Sequence, residues 1–186
     1  VYHARAAGEY ILAIKPLEWV HPPLAKLLIS VGVHFYDLTG VGWRVMPIIA
    51  GTLLLVSMYS LARFILPYRW QAVVATIMLA CDGVYFVQSR MAMTNIFATF
   101  FQVSALTFAW RFVQFYWHRP QDKRNYVYFV VSILFIALAL STRWTSLWSY
   151  GFIIFVFGFL VLVPSTLDFG ALMSGRVKWT LSGRVA

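Results

Sequence analysis

The sequence predicts an all-α integral membrane protein: a polytopic helical bundle with an amphipathic outer-face segment before the first span. Three observations predict it. Apolar residues make up 61% of the 186-residue chain and charged residues only 11%, whereas a soluble globular chain carries about 25% charged residues. Several stretches reach the roughly 18 apolar residues that cross a bilayer. The charges fall mainly between those stretches. A strand barrel would instead show short alternating segments. The net charge of +9 does not point to nucleic acid, because loops between spans are where Lys and Arg orient a membrane protein. The single cysteine, Cys81, lies in an apolar run and permits no internal disulfide.

The first unit is residues 1–42, an outer-face amphipathic or interfacial segment. Arg5, Glu9, Lys15, Glu18 and Lys26 interrupt its apolar residues. Pro16, Pro22 and Pro23 break any long helix there. A short helix is expected over Leu24 to Phe35, with Pro23 near its first turn. The second unit, residues 43–163, is a transmembrane bundle of about five spans. They are expected near Val45–Ile65, Trp70–Val87, Ala92–Trp117, Tyr126–Leu140 and Leu147–Val163. Trp43, Trp70, Trp117, Tyr126, Tyr128 and Trp144 cluster near the span ends, as in an aromatic belt. Residues 164–186 read as a cytosolic-side tail or the start of a further part. Tyr2-His3-Ala4-Arg5 is no signal-peptide n-region, and the chain reads as a fragment of a longer protein.

Alternating spans sort the basic residues onto two faces. One holds Arg63, Arg69, Arg111, Arg119, Lys123, Arg124, Arg176, Lys178 and Arg184. The other holds Arg5, Lys15, Lys26, Arg44, Arg90 and Arg143. Nine against six makes the first face cytosolic by the positive-inside rule. The N-terminal segment and the arginines Arg44, Arg90 and Arg143 then face outward. Cations at the mouth of a bundle attract anions, and a lipid phosphate is the anion a membrane offers most readily.

Four constellations carry chemistry. In His21-Pro22-Pro23-Leu24-Ala25-Lys26, two prolines would hold His21 and Lys26 rigidly at the interface. The competing reading is a kinked interfacial helix with a snorkelling lysine. Gly42-Trp43-Arg44, followed by Pro47 and Gly51, puts a guanidinium at the opening of a span. There it could bind a phosphate bidentately or reach for headgroups. Asp82-Gly83 precedes Gln88-Ser89-Arg90. An acid within a span demands a partner or a polar cavity, so Asp82 is either functional or the counter-ion of Arg90 or Arg143. Ser141-Thr142-Arg143-Trp144 surrounds one arginine with hydroxyls, or is an ordinary tight loop. No metal site is expected, since the four histidines lack ligand spacing.

Together these segments resemble the protein O-mannosyltransferase family, and bacterial members in particular. The matching pieces are His21 to Ile29, Gly42-Trp43-Arg44 with Pro47 and Gly51, Asp82-Gly83 with Gln88-Ser89-Arg90, and Thr142-Arg143-Trp144. The resemblance implies a GT-C-type membrane glycosyltransferase. Its donor is a polyprenyl-phosphate sugar, with mannose moving to a Ser or Thr hydroxyl of a translocated polypeptide with inversion. It implies no cofactor beyond that lipid-linked substrate. Partners would be the lipid carrier, the acceptor polypeptide and membrane lipids, with secretion machinery or an oligomer left open. The setting would be a bacterial inner membrane with the site on its outer face, or the ER membrane in a eukaryote.

By matching, Arg44 takes the family's essential arginine after the first outer loop. Arg143 replaces a lysine near the donor phosphate, and Arg90 falls in the Gln-Ser-Arg motif. His21, Lys26, Asp82 and Asn95 are supporting positions. Two departures stand out. The family's acidic pair, which supplies the catalytic base, should stand just before Val1 and so lies outside the sequence. Asn95 stands where the family usually has an aspartate. Two alternatives remain open. One is a relative that moves another sugar to lipid A or a wall polymer. The other is a non-catalytic subunit or transporter whose arginines only touch headgroups.

Overall fold

The computed structural model describes residues 2–15, 18, 20–118, 122–151 and 154. Among them all regular structure is helical. The order is α1 (Tyr2–Ile11), α2 (Leu24–Tyr36), α3 (Gly42–Ile65), α4 (Arg69–Ala80), α5 (Gly83–Gln88), α6 (Thr94–His118) and α7 (Arg124–Leu140).

Two helices, α3 with 24 residues and α6 with 25, are long enough at about 1.5 Å per residue to cross a hydrocarbon core of about 30 Å. They pack on each other, and α7 packs on α6. Large apolar side chains remain outward on several helices, among them Val56, Ile77, Val130 and Leu134. This is the surface of an integral membrane protein and not of a water-soluble bundle. The expected second span is interrupted. Helix α4 stops at Ala80, and the Asp82 carboxylate accepts a hydrogen bond from the Tyr85 backbone N–H at 2.8 Å, capping a new helix, α5. An acidic cap followed by Gly83 starts a helix more readily than it continues one. Of the expected fifth span, only the helical start at 146–151 and residue 154 are described. The rest of that span and the tail at 164–186 lie outside the described residues.

The core is built from aliphatic and aromatic side chains: Ala25, Ile29, Leu54, Ile96 and Phe97 are each at most 2% exposed. Polar pairs brace it. The Ser57 and Ser104 hydroxyls meet at 2.9 Å, and Ser132 Oγ donates to the Ala105 carbonyl at 3.0 Å. At the far end of α3, Trp110 Nε1 and Gln114 Nε2 donate to the Phe64 carbonyl at 3.3 and 3.1 Å. Such bonds fix helix register where the hydrophobic effect is weak. Helix α2 joins this body through its first residue, whose N–H donates to the Ser141 carbonyl after α7 at 3.0 Å.

Candidate phosphate-binding site

The position of Arg44 follows from a tight reversal between α2 and α3. Asp37 has a positive φ of 56°, and the chain turns so closely that a Cβ on Gly42 would lie 2.1 Å from the Asp37 carbonyl oxygen. A Cβ on Gly32 would lie 2.4 Å from the Gly42 carbonyl oxygen. Only glycine fits at either place. The Thr39 hydroxyl accepts the Gly42 N–H at 3.2 Å. Arg44 therefore sits in the first turn of α3, its guanidinium 4.4 Å from the centre of the Trp43 ring.

Arg90 reaches the same place from another direction. Gly51 lets α5 approach α3, since a Cβ there would lie 2.7 Å from Ser89 Cβ. The Tyr85 hydroxyl then donates to the Gly51 carbonyl at 2.9 Å. Arg90 follows directly, stacked on Phe86 at 3.8 Å. The outcome is a cleft of about 530 Å³ lined by Arg44, Ile48, Thr52, Tyr85, Ser89 and Arg90, among others. Among the described residues, no carboxylate lines it. Among the described residues, none of the ion pairs involves Arg44, Arg90 or Arg143. Stacking on an aromatic face holds a guanidinium while leaving its in-plane N–H donors free. Two such groups facing one cleft can take an oxyanion.

Arg143 is not among the residues lining this cleft. It follows α7, partly buried, and its Nε has no hydrogen-bond partner. Its neighbours are firmly held. Thr142 Oγ1 donates to the Ala139 carbonyl at 2.6 Å, and Gln102 Nε2 donates to Ser146 Oγ at 2.9 Å. Asp82 is an exposed helix cap and pairs with neither arginine, contrary to the counter-ion reading. Asn95 lies half-buried in the first turn of α6, also outside the cleft lining.

His21 and Lys26 belong to a separate cluster. Lys26 is 1% exposed, and its ammonium donates to the Glu18 carbonyl at 2.9 Å, to Glu18 Oε2 at 2.5 Å and to the His21 carbonyl at 2.8 Å. All three of its protons are used, so it is not a free cation for a phosphate and does not snorkel to water. Glu18 Oε1 accepts both the His21 backbone N–H and His21 Nδ1, each at 3.0 Å. His3 completes the group, edge-on to His21 with ring centres 5.4 Å apart. Burial would raise the Glu18 carboxyl, but hydrogen bonds from Lys26 and His21 outweigh it and pull the group down to about 2. Burial lowers His3 below its ordinary value, against the opposing pull of Glu18. A lysine among apolar residues calls for a counter-ion, and Glu18, one of the charges that interrupt this segment, is that partner.

A second cleft, of about 510 Å³, lies beside the first, lined in part by Gly8, Leu38, Trp43 and Met91. Arg5 and Glu9, paired at 2.8 Å, stand on its wall. Trp43 and Met91 are the chain neighbours of Arg44 and Arg90, so the start of α3 and the turn after α5 separate the two clefts. Among the described residues, no group of three or more His, Cys, Asp or Glu could hold a metal ion.

Comparison with known proteins shows the family of the chain. A polyprenol-phosphate-mannose–protein mannosyltransferase of Corynebacterium glutamicum is 30% identical over 151 residues, 72% of this chain and 28% of that protein. Proteins of the same name from Mycobacterium tuberculosis and Mycolicibacterium smegmatis are 37% and 34% identical over 86 residues, 46% of this chain. Those stretches are 16% and 17% of the two relatives, so the chain spans less than a third of the length of the proteins it matches. No solved structure matches. The sequence profile of dolichyl-phosphate-mannose-protein mannosyltransferases covers residues 34–183, and the chain, an all-α membrane bundle of GT-C type, belongs to that family.

Proposed function

We propose that the protein containing this chain transfers mannose from a polyprenyl-phosphate carrier to a Ser or Thr hydroxyl of a polypeptide. The reading places it in a bacterial inner membrane, with the reaction on the outer face. The donor phosphate sits between Arg44 and Arg90. One observation carries the reading: two aromatic-stacked guanidiniums, 46 residues apart in sequence, line one cleft that has no carboxylate among its described residues. The names of the relatives supply the donor and acceptor classes.

In this reaction the bond from the sugar anomeric carbon to the phosphate oxygen breaks as the acceptor oxygen attacks. The hydroxyl proton passes to a base within hydrogen-bond reach. Negative charge grows on the departing phosphate. Arg44 and Arg90, already held by Trp43 and Phe86, stabilise that charge without reorganising. The reaction calls on no cofactor. Secretion machinery or a second copy of the protein would be further partners.

The test is sugar transfer by the full-length protein in membranes, using radiolabelled polyprenyl-phosphate mannose. Arg44→Ala should lower transfer about 10- to 100-fold, the worth of a charge-assisted hydrogen bond. Arg69→Ala, at the exposed start of α4, should leave it unchanged. Wild-type transfer by a normally inserted Arg44→Ala protein would sink the reading.

A further inference from the structure

We propose that the furrow between α3 and α4 holds the isoprenyl chain of the lipid whose phosphate sits on Arg44 and Arg90. The proposal rests on the donor reading above and adds the tail's path to it. The furrow has a volume of about 310 Å³ and is lined by Leu55, Val56, Tyr59, Val73, Thr76 and Ile77. Leu55 also lines the cationic cleft, so the two cavities adjoin along α3.

The sequence of α3 is patterned for this. Arg44, Ile48, Thr52, Leu55 and Tyr59 recur every three or four residues, which places them along one helix face. Fifteen residues separate Arg44 from Tyr59, a rise of about 22 Å. That fits inside a hydrocarbon layer of about 30 Å. A cation stands at the top of this face and apolar side chains continue below it. The two threonine hydroxyls on the way make no polar demand. Thr52 Oγ1 donates to the Ile48 carbonyl at 2.9 Å and Thr76 Oγ1 to the Ala72 carbonyl at 2.8 Å.

The break after α4 opens the passage. Ala80, the last residue of α4, lines the cationic cleft with only a methyl group. Capped by Asp82, α5 turns off toward Gly51. The furrow's walls face outward, with Val56 58% and Ile77 55% exposed, so a chain already in the bilayer can enter sideways. Because α3 and α4 pack on each other, the space between them suits a hydrocarbon chain and not another helix of about 10 Å diameter. A helix would also have no use for the cations at the head.

The experiment uses the full-length protein and two mannosyl-phosphate donors, one on a long polyprenyl chain and one on a geranyl chain too short to fill the furrow. Val56→Trp and Ile77→Trp should raise KM for the long donor about tenfold, the worth of roughly two buried methylenes. They should leave the geranyl donor unaffected. Met78→Trp, which is 70% exposed and outside the furrow lining, should change neither. Should the tryptophans prevent insertion, Ile77→Ser keeps the test, with a smaller rise for the long donor only. Equal effects on both donors, or none on either, overturn the proposal, as expected if a helix covers the furrow. Arg44→Ala should slow both donors alike. If it slows neither, the donor reading fails, and the chain-length result is judged separately.

Discussion

The Tyr85 hydroxyl donates to the Gly51 carbonyl at 2.9 Å, and Gly51 is where α5 rests on α3 with no side chain between them. A methyl group there would meet Ser89 Cβ at 2.7 Å, an atom fixed close to its own backbone. Gly51→Ala should therefore push α5 away and destabilise the protein by about 1–3 kcal/mol, the usual effect of overpacking. Arg90 moves with α5, so the donor KM should rise as well. Tyr85→Phe removes the bond without adding volume and should cost about 1 kcal/mol with a smaller change in KM. Thermal unfolding in detergent and donor kinetics on the full-length protein measure both. A Gly51→Ala protein with a normal KM would show that the contact does not position Arg90.

The arginines should not be equal. Arg90→Ala should resemble Arg44→Ala, each losing about 10- to 100-fold in donor kcat/KM. Arg44→Lys should recover only part of that, because an ammonium keeps the charge and loses the planar fork. Arg143 lies outside the lining of this cleft, and Arg143→Ala should lose less than either. Kinetics on the three alanine variants rank them. An Arg143→Ala protein as impaired as Arg44→Ala would mean that the cleft closes onto Arg143 when donor binds.

The long helices were legible because a membrane leaves an apolar sequence few other choices. The break in the expected second span was present in the letters too, in Asp82-Gly83. It was missed because an acid inside an apolar run suggests an ion pair, whereas this carboxylate turns back to the Tyr85 N–H, three residues on. Meeting of Arg44 and Arg90 could not be read from spacing. It depends on a close approach of Gly51 and Ser89 across 38 residues. Lys26 was visible as a cation, but its partner Glu18 lies beyond Pro22-Pro23. No helical periodicity connects two residues across that pair of prolines.

Asn95 offers a test of charge at a helix start. The first turn of α6 contains no acidic residue, so the positive end of the helix dipole is uncompensated by a local side-chain charge. Asn95→Asp should stabilise the protein by about 0.3–1 kcal/mol at neutral pH. The gain should vanish once the new carboxyl is protonated. Melting of the two proteins at pH 7 and near pH 3 reads it directly. A gain that persists in acid would have a cause other than charge.

The cluster of His3, Glu18, His21 and Lys26 should make the N-terminal segment sensitive to acid. Glu18 titrates at about 2 in the fold against an ordinary 4.5, so the folded state favours the ionised form. That stability is complete above about pH 4.5 and is lost as pH falls toward 2. His3 acts in the same direction, because its folded value is depressed by burial and stability falls as protons bind the unfolded chain first. Glu18→Gln leaves Lys26 buried without its counter-charge and should cost about 3–5 kcal/mol. Arg5→Ala, which breaks the Arg5–Glu9 pair at an arginine 64% exposed, should cost about 1 kcal/mol or less. Adding Lys26→Met to Glu18→Gln should recover part of the loss, since no unpaired charge then remains. Protease resistance of the N-terminal segment across pH 6 to 3, with melting of each variant, separates these outcomes. If Glu18→Gln proves no more harmful than Arg5→Ala, the buried pair does not hold the segment to α2.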